Sequence, residues 1–258
     1  MVTGLNKFRD AFASYTDCYV IIGGTACVAA LTGTLMRPRE TSDIDIILIV
    51  ENMTPDFGRA FWNFIKEGGY RPEIRKHSEA RNHYELYRFV DPSPGYPGQI
   101  ELLSRKSDVF NVPIDMTVEP LPIGDDVSSL SAIVMDDDYY NLTISNSYIE
   151  DGIRYANPAA LICLKIKAYL NLMAERATGR QVNTKDIKKH RNDVIKLAAI
   201  ASFPEVINVP ESVQSAIIEY VDTLRATLPN QSLEAAIERT SDDIEAFLDV
   251  IIETFIPA

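Results

Sequence analysis

Two features of one short stretch, residues 23–50, have the residue types and spacing to do chemistry. Asp43 and Asp45 lie two apart at the head of the apolar run DIDIILIV. If that run is a strand, both carboxylates leave the same face. Two carboxylates so close repel, and each raises the other's pKa, unless a cation sits between them. Oxygen donors suit Mg²⁺ or Mn²⁺, and Mg²⁺ is commonly held by one or two carboxylates together with substrate phosphates. Thr41 and Ser42 add neighbouring hydroxyls. The plain alternative for an isolated Asp-x-Asp is an acidic strand end facing water.

Gly23 and Gly24 follow the apolar run CYVII and precede a short helical pattern. A strand, a Gly-Gly turn and a helix N-terminus together form an anion cradle. Backbone N–H groups point outward, and the missing Cβ atoms let a phosphate approach closely. Thr25 can add its hydroxyl. The stretch is neither a Walker loop nor a Gly-x-Gly-x-x-Gly fingerprint. A phosphate cradle beside paired aspartates points to phosphoryl or nucleotidyl transfer with two-metal chemistry. That chemistry wants a third carboxylate from a neighbouring strand. Glu101, an acid in the otherwise apolar QIELLS, is the first choice, and Asp115 in PIDMTV is the second. For either, an outward-facing strand position is the plain alternative.

The elements that must position these groups can be read along the chain. Residues 5–15 read as an amphipathic helix, DCYVIIGG as a strand ending in a turn, and 25–31 as a short helix. DIDIILIV is a second strand, and 56–67 a helix closed by Gly68-Gly69. YELYRFV and GQIELLS read as strands around the loop DPSPGYPG, with PIDMTVEPL as a further strand. LSAIVM and YYNLTIS are expected to form a hairpin with Asp136, Asp137 and Asp138 at its turn. From Asn157, a cap, and Pro158, a first helical residue, the pattern is helical. The expected class is α+β: a mixed sheet with flanking helices over 1–150, then a helical part over 151–258 that completes the site.

Charge is unevenly spread. The chain carries a net −12, which argues against general nucleic-acid binding. Yet residues 165–196 hold nine Lys/Arg and three Asp/Glu, a local +6 inside an acidic protein. In the helix from Pro158, Leu161, Leu164, Ala168 and Leu172 form an apolar stripe, and Lys165 falls inside it. Such a lysine either snorkels or reaches an anion. In the helix from about Thr184, Asp186, His190 and Asp193 line one edge of the buried stripe, with Lys185 and Lys189 nearby. A solvated border with i,i+4 pairing is the plain alternative. Cys18, Cys27 and Cys163 show no zinc or disulfide spacing, and the N-terminus does not read as a signal peptide. No apolar run is long enough to span a bilayer. A cytoplasmic location, with no membrane partner, is therefore expected. His77 and His83 lack metal-ligand spacing and read as surface residues.

IIGGTACVAAL followed by RETSDIDIIL resembles the nucleotidyltransferases of the DNA polymerase β superfamily, above all the AbiEii-type nucleotidyltransferase toxins. Gly23, Gly24, Thr25, Ala26, Arg39, Thr41, Asp43 and Asp45 occupy that family's first motif. LKIKAYL and KDIKKHRND resemble its later motifs, with Lys165, Lys185, Asp186 and Asp193 at the matching places. The stretch from Gly24 to Asp43 is longer than in many members, and residues from 204 onward carry no recognised motif. The resemblance implies a nucleotidyltransferase-like fold and Mg²⁺-dependent transfer of NMP from an NTP to a hydroxyl. In it, Asp43 and Asp45 bind metal and carry the catalysis, joined on the strand reading by Glu101, or else Asp115, as the third metal-binding carboxylate. Gly23, Gly24, Thr25, Arg39, Lys165 and Lys185 face the nucleotide, while Asp186 and Asp193 position nucleotide or acceptor. It further implies an RNA or tRNA acceptor and a cognate antitoxin, as in toxin–antitoxin pairs. A small-molecule, aminoglycoside-like acceptor is the first alternative, and a non-catalytic nucleotide- or partner-binding protein of this fold is the second.

Overall fold

The computed structural model describes residues 2–72, 85–104, 136–201, 203 and 206–257. Asp115, His77, His83, PIDMTVEPL and LSAIVM lie outside the described residues. Seven strands form one mixed sheet in the order β3-β4-β5-β2-β1-β7-β6. They are β1 (Tyr19–Ile22), β2 (Asp43–Leu48), β3 (Arg71–Pro72), β4 (Glu85–Val90), β5 (Gln99–Ser104), β6 (Ser147–Glu150) and β7 (Ile153–Ala156). The described helices are α1 (Leu5–Phe12), α2 (Gly23–Leu31), α3 (Pro55–Glu67), α4 (Asp137–Ser145), α5 (Pro158–Ala177), α6 (Thr184–Ile200), α7 (Glu211–Arg225), α8 (Gln231–Ile237) and α9 (Ser241–Phe255). The class is α+β, as the sequence led one to expect.

β2 lies at the centre of the sheet, antiparallel to β1 and parallel to β5. β1 is buried along its whole length, so the sheet is covered on both faces there. Tyr19 meets Phe8, Phe12 and Phe57, which puts an aromatic layer from α1 and α3 on one face. Side chains alternate along a strand, so Val20 and Ile22 turn to the other face. Asp45, the pairing partner of Ile22, shares that second face. α2 packs on β1 and β2, and α5 and α6 pack on each other and on α2. One apolar core therefore runs through both halves of the chain.

Two local readings are corrected. YYNLTIS is not a hairpin strand: Asp137–Ser145 form helix α4. Asp136 caps it, its side chain accepting from the Asp138 N–H at 2.9 Å. Tyr139, Tyr140, Leu142 and Thr143 are buried, a helical spacing that the β-rich composition masks. The hairpin instead comes after it, as β6 and β7, joined at Asp151-Gly152 with φ of 48° and 74°. Asp-Gly is a strong signal for a turn that needs two positive φ angles. β7 pairs with β1, so the sheet extends to Ala156, past the boundary expected near residue 150.

Candidate active site

The register places Ile22, Asp45, Glu101 and Arg88 in one row across four neighbouring strands. Asp43 pairs with Gln99 in the next row on the same face. Parallel pairing of β2 with β5 is what sets Glu101 beside Asp45; a one-residue slip would turn its carboxylate to the opposite face. Glu101 is buried, and Arg88 donates to its Oε1 from Nε and Nη2, each at 2.9 Å. Gln99 Nε2 donates to the same oxygen at 2.8 Å. Charge-assisted bonds of this kind fix the carboxylate in place. Arg88 and Gln99 escaped the sequence reading because only strand pairing brings them to Glu101.

Asp43 accepts a 2.8 Å hydrogen bond from the Ser42 hydroxyl. The recessed Asp45 carboxylate takes no hydrogen bond from any described residue. Burial, then the Glu101 charge, pushes it up to about 7, against the pull of Lys165 and Lys189. Asp45 packs against the start of α2. Gly23 there has φ 70°, and a Cβ on it would collide with Asp45 Oδ2. Only glycine meets both demands. A Cβ on Gly24 would stand 2.5 Å from Arg39 Nη2 and 2.8 Å from Thr41 Oγ1, so the guanidinium lies against this turn. The Thr25 hydroxyl donates to the Asp43 carbonyl at 2.5 Å, tying the head of α2 to the head of β2.

α5 and α6 bring further charges to this face. Lys165 is buried, and its Nζ donates to Asp193 Oδ2 at 2.9 Å. The lysine in the apolar stripe thus reaches an anion, and that anion is Asp193. Arg39 Nε lies 3.4 Å from the same oxygen. Burial alone would lower the Lys165 pKa, but the charge and hydrogen bond of Asp193, together with Cys27, hold the ammonium above its usual value. Burial alone would raise Asp193; Lys165 and then Arg39 hold it below the usual carboxylate range. His190 is buried, and burial followed by the Lys165 and Lys189 charges lowers it to about 2, so it is neutral.

Lys189 is half-buried, and its pKa is lowered by burial and by Arg39 and Lys165. It therefore belongs to the same cluster. Lys185 is exposed and Asp186 half-buried one turn earlier. The spacing of Asp186, Lys189 and Asp193 on one helical face was the signal that could have singled out Lys189 rather than Lys185.

Among the described residues, no three His, Cys, Asp or Glu side chains make a ready-made metal cage. Asp43 and Asp45 still fit a divalent cation shared with substrate phosphates. They are two half-buried carboxylates on one strand face, one of them without a donor among the described residues, which is the acceptor-only chemistry Mg²⁺ takes. Among the described residues, no helix is long and apolar enough to cross a membrane.

No family model matches the chain, and no curated protein matches it. Two solved structures from Helicobacter pylori align with it. JHP933 does so with a TM-score of 0.36 and 13% identity, over 96% of this chain and 90% of its own. A protein provisionally named a nucleotidyltransferase does so with a TM-score of 0.33 and 14% identity, over 96% and 94%.

Proposed function

We propose that this protein is a metal-dependent nucleotidyltransferase that moves NMP from an NTP to a hydroxyl acceptor. The observation that carries the reading is Asp45. Its half-buried carboxylate is set beside Glu101, takes no hydrogen bond from a described residue, and lies at the foot of a Gly-Gly helix start. A charge so placed is costly unless a cation neutralises it.

Asp43 and Asp45 would hold Mg²⁺ or Mn²⁺, which supplies charge neutralisation on the triphosphate and on the α-phosphorus under attack. Gly23, Gly24 and Thr25 open the helix whose N–H groups receive phosphate. Arg39, lying on Gly24, faces the same phosphates. Lys165 and Lys189 keep the local potential positive as charge develops. Glu101, fixed by Arg88 and Gln99, is the third carboxylate and accepts the proton of the attacking hydroxyl. The acceptor oxygen then bonds to the α-phosphorus, and pyrophosphate leaves. Asp186 orients nucleotide or acceptor.

RNA, tRNA ends included, is the favoured acceptor. Arg176, Lys185 and Lys188 are exposed on α5 and α6, cations available to a phosphate backbone. The motif resemblance adds the role of an AbiEii-like toxin with a cognate antitoxin. A single observation favours the non-catalytic alternative: Glu101 is already ion-paired to Arg88.

The test incubates each α-³²P-labelled NTP with Mg²⁺ and total tRNA. Label is expected on RNA with the wild type and not with Asp43→Ala/Asp45→Ala. Equal labelling by both would sink the mechanism. No labelling by either would shift weight to a small-molecule acceptor or to the silent binder.

A further inference from the structure

We infer that Asp193 is a positioning residue that braces Arg39 against Gly24 and does not itself touch the nucleotide. The inference deepens the nucleotidyl-transfer reading and rests on it. Asp193 stands 154 positions from Arg39 in sequence, yet its Oδ2 lies 3.4 Å from Arg39 Nε. The same oxygen receives Lys165 Nζ at 2.9 Å. Asp193 is buried, and both cations are held by its Oδ2.

The segment being braced has few other anchors. Between α2 and β2, Leu35 is 90% exposed, and the Thr34 hydroxyl donates only to the end of α2, at the Leu31 carbonyl, and to the Met36 carbonyl. Met36 is buried; beyond it two positions on α6 hold the chain, and the Ser42 carbonyl accepts from the Gly98 N–H at 2.8 Å. Lys196 Nζ donates to the Arg37 carbonyl at 3.0 Å, and Asp193 takes Arg39. They are three residues apart, on one face of the helix.

The electrostatics agree with a brace. Two cations share one carboxylate, which leaves a net positive charge. Lys165 is sealed inside, so the surplus is presented by Arg39, whose side chain is 28% exposed. Arg39 also lines a cleft of about 550 Å³ together with Val2, Val28, Glu40, Thr41 and Ser42, next in the chain to Asp43. Held at Nε by Asp193 and at Nη1 by the Glu40 carbonyl at 3.4 Å, the guanidinium keeps Nη2, which lies against Gly24, for a phosphate oxygen. α6 would thus set the aim of a phosphate-binding arginine in the first motif.

The test compares wild type, Asp193→Asn, Arg39→Ala and the double variant. Amide hydrogen exchange over residues 34–41 is read without ligand, and the Kd for a non-hydrolysable NTP is measured with Mg²⁺. Asp193→Asn is expected to speed exchange there at least about tenfold. It is also expected to weaken the triphosphate about tenfold, the worth of one charge-assisted hydrogen bond. In the Arg39→Ala background the same change is expected to add less than about twofold, since the pair acts as one unit. Equal weakening in both backgrounds would mean that Asp193 touches the ligand. Unchanged exchange would mean that no brace exists.

If Asp193→Asn does not fold, Lys165→Met/Asp193→Leu replaces the pair by apolar volume and reads the same loss of the brace. If the wild type binds no NTP, the nucleotidyl-transfer reading fails, while the exchange measurement still decides the brace.

Discussion

At Asp45 the fold carries a carboxylate that it does not neutralise. Desolvation and the neighbouring Glu101 both oppose the charge. Asp45→Asn is therefore expected to raise the melting temperature in metal-free buffer by about 2–4 °C, the scale of a ~1 kcal/mol gain in a chain of this size. The same change is expected to abolish label transfer, and calorimetry beside the transfer assay checks both. Millimolar Mg²⁺ is expected to raise the melting temperature of the wild type by mass action and to leave Asp43→Ala/Asp45→Ala unmoved. Asp43 and Asp45 were legible as a pair because a strand's period of two is local. Arg88 was not, because nothing near it in sequence marks it as the counterion of Glu101.

Among the elements, the junction of β1 with α2 has the least tolerance. Gly23→Ala must hold a positive φ and also push Asp45 aside. A loss of about 1–3 kcal/mol in denaturant melts, together with loss of the Mg²⁺ response, is the expected result. The α5–α6 contact carries a different cost. Asp193→Ala leaves the buried Lys165 without its carboxylate, and a loss of about 3–5 kcal/mol is expected. Lys165→Met/Asp193→Leu is expected to recover most of that in the same melts, because the pair's desolvation is then removed along with its attraction. The caps of α5 and α6 at Asn157 and Asn183 obey local chemistry that the sequence shows openly, and their side chains accept the expected N–H groups. The α4 segment did not yield to the same reading, since tyrosine and threonine favour strands until burial on one helical face overrides them.

For the whole molecule, pH and salt are the informative variables. His190 is held neutral, at about 2 in the folded protein against an ordinary 6.5. The unfolded chain therefore binds the extra proton between those values, and stability must fall as pH drops below about 6.5. Asp193, held low, acts in the same direction: its contribution is present above the ordinary carboxylate pKa and lost as pH falls through its folded value. Urea melts at stepped pH are expected to show this decline, and His190→Gln is expected to flatten its upper part. If RNA is the acceptor, Lys185→Glu/Lys188→Glu is expected to reduce RNA affinity and to shallow its salt dependence, with the melting temperature little changed. Filter binding across a salt series would measure it.

By itself the chain determined what is local: the carboxylate spacing, the Gly-Gly turn, the helix caps, most element positions and the basic run from Lys165 to Lys196. Each depends on a few adjacent residues and their intrinsic geometry. Tertiary structure decided what depends on pairing and packing. Register set Glu101 beside Asp45 and gave it Arg88. The packing of α6 on α2 and α5 turned Asp193 inward to Lys165 and Arg39 and left Lys185 in solvent. These are contacts between residues far apart in the chain, chosen by which faces bury together, and no local pattern encodes them.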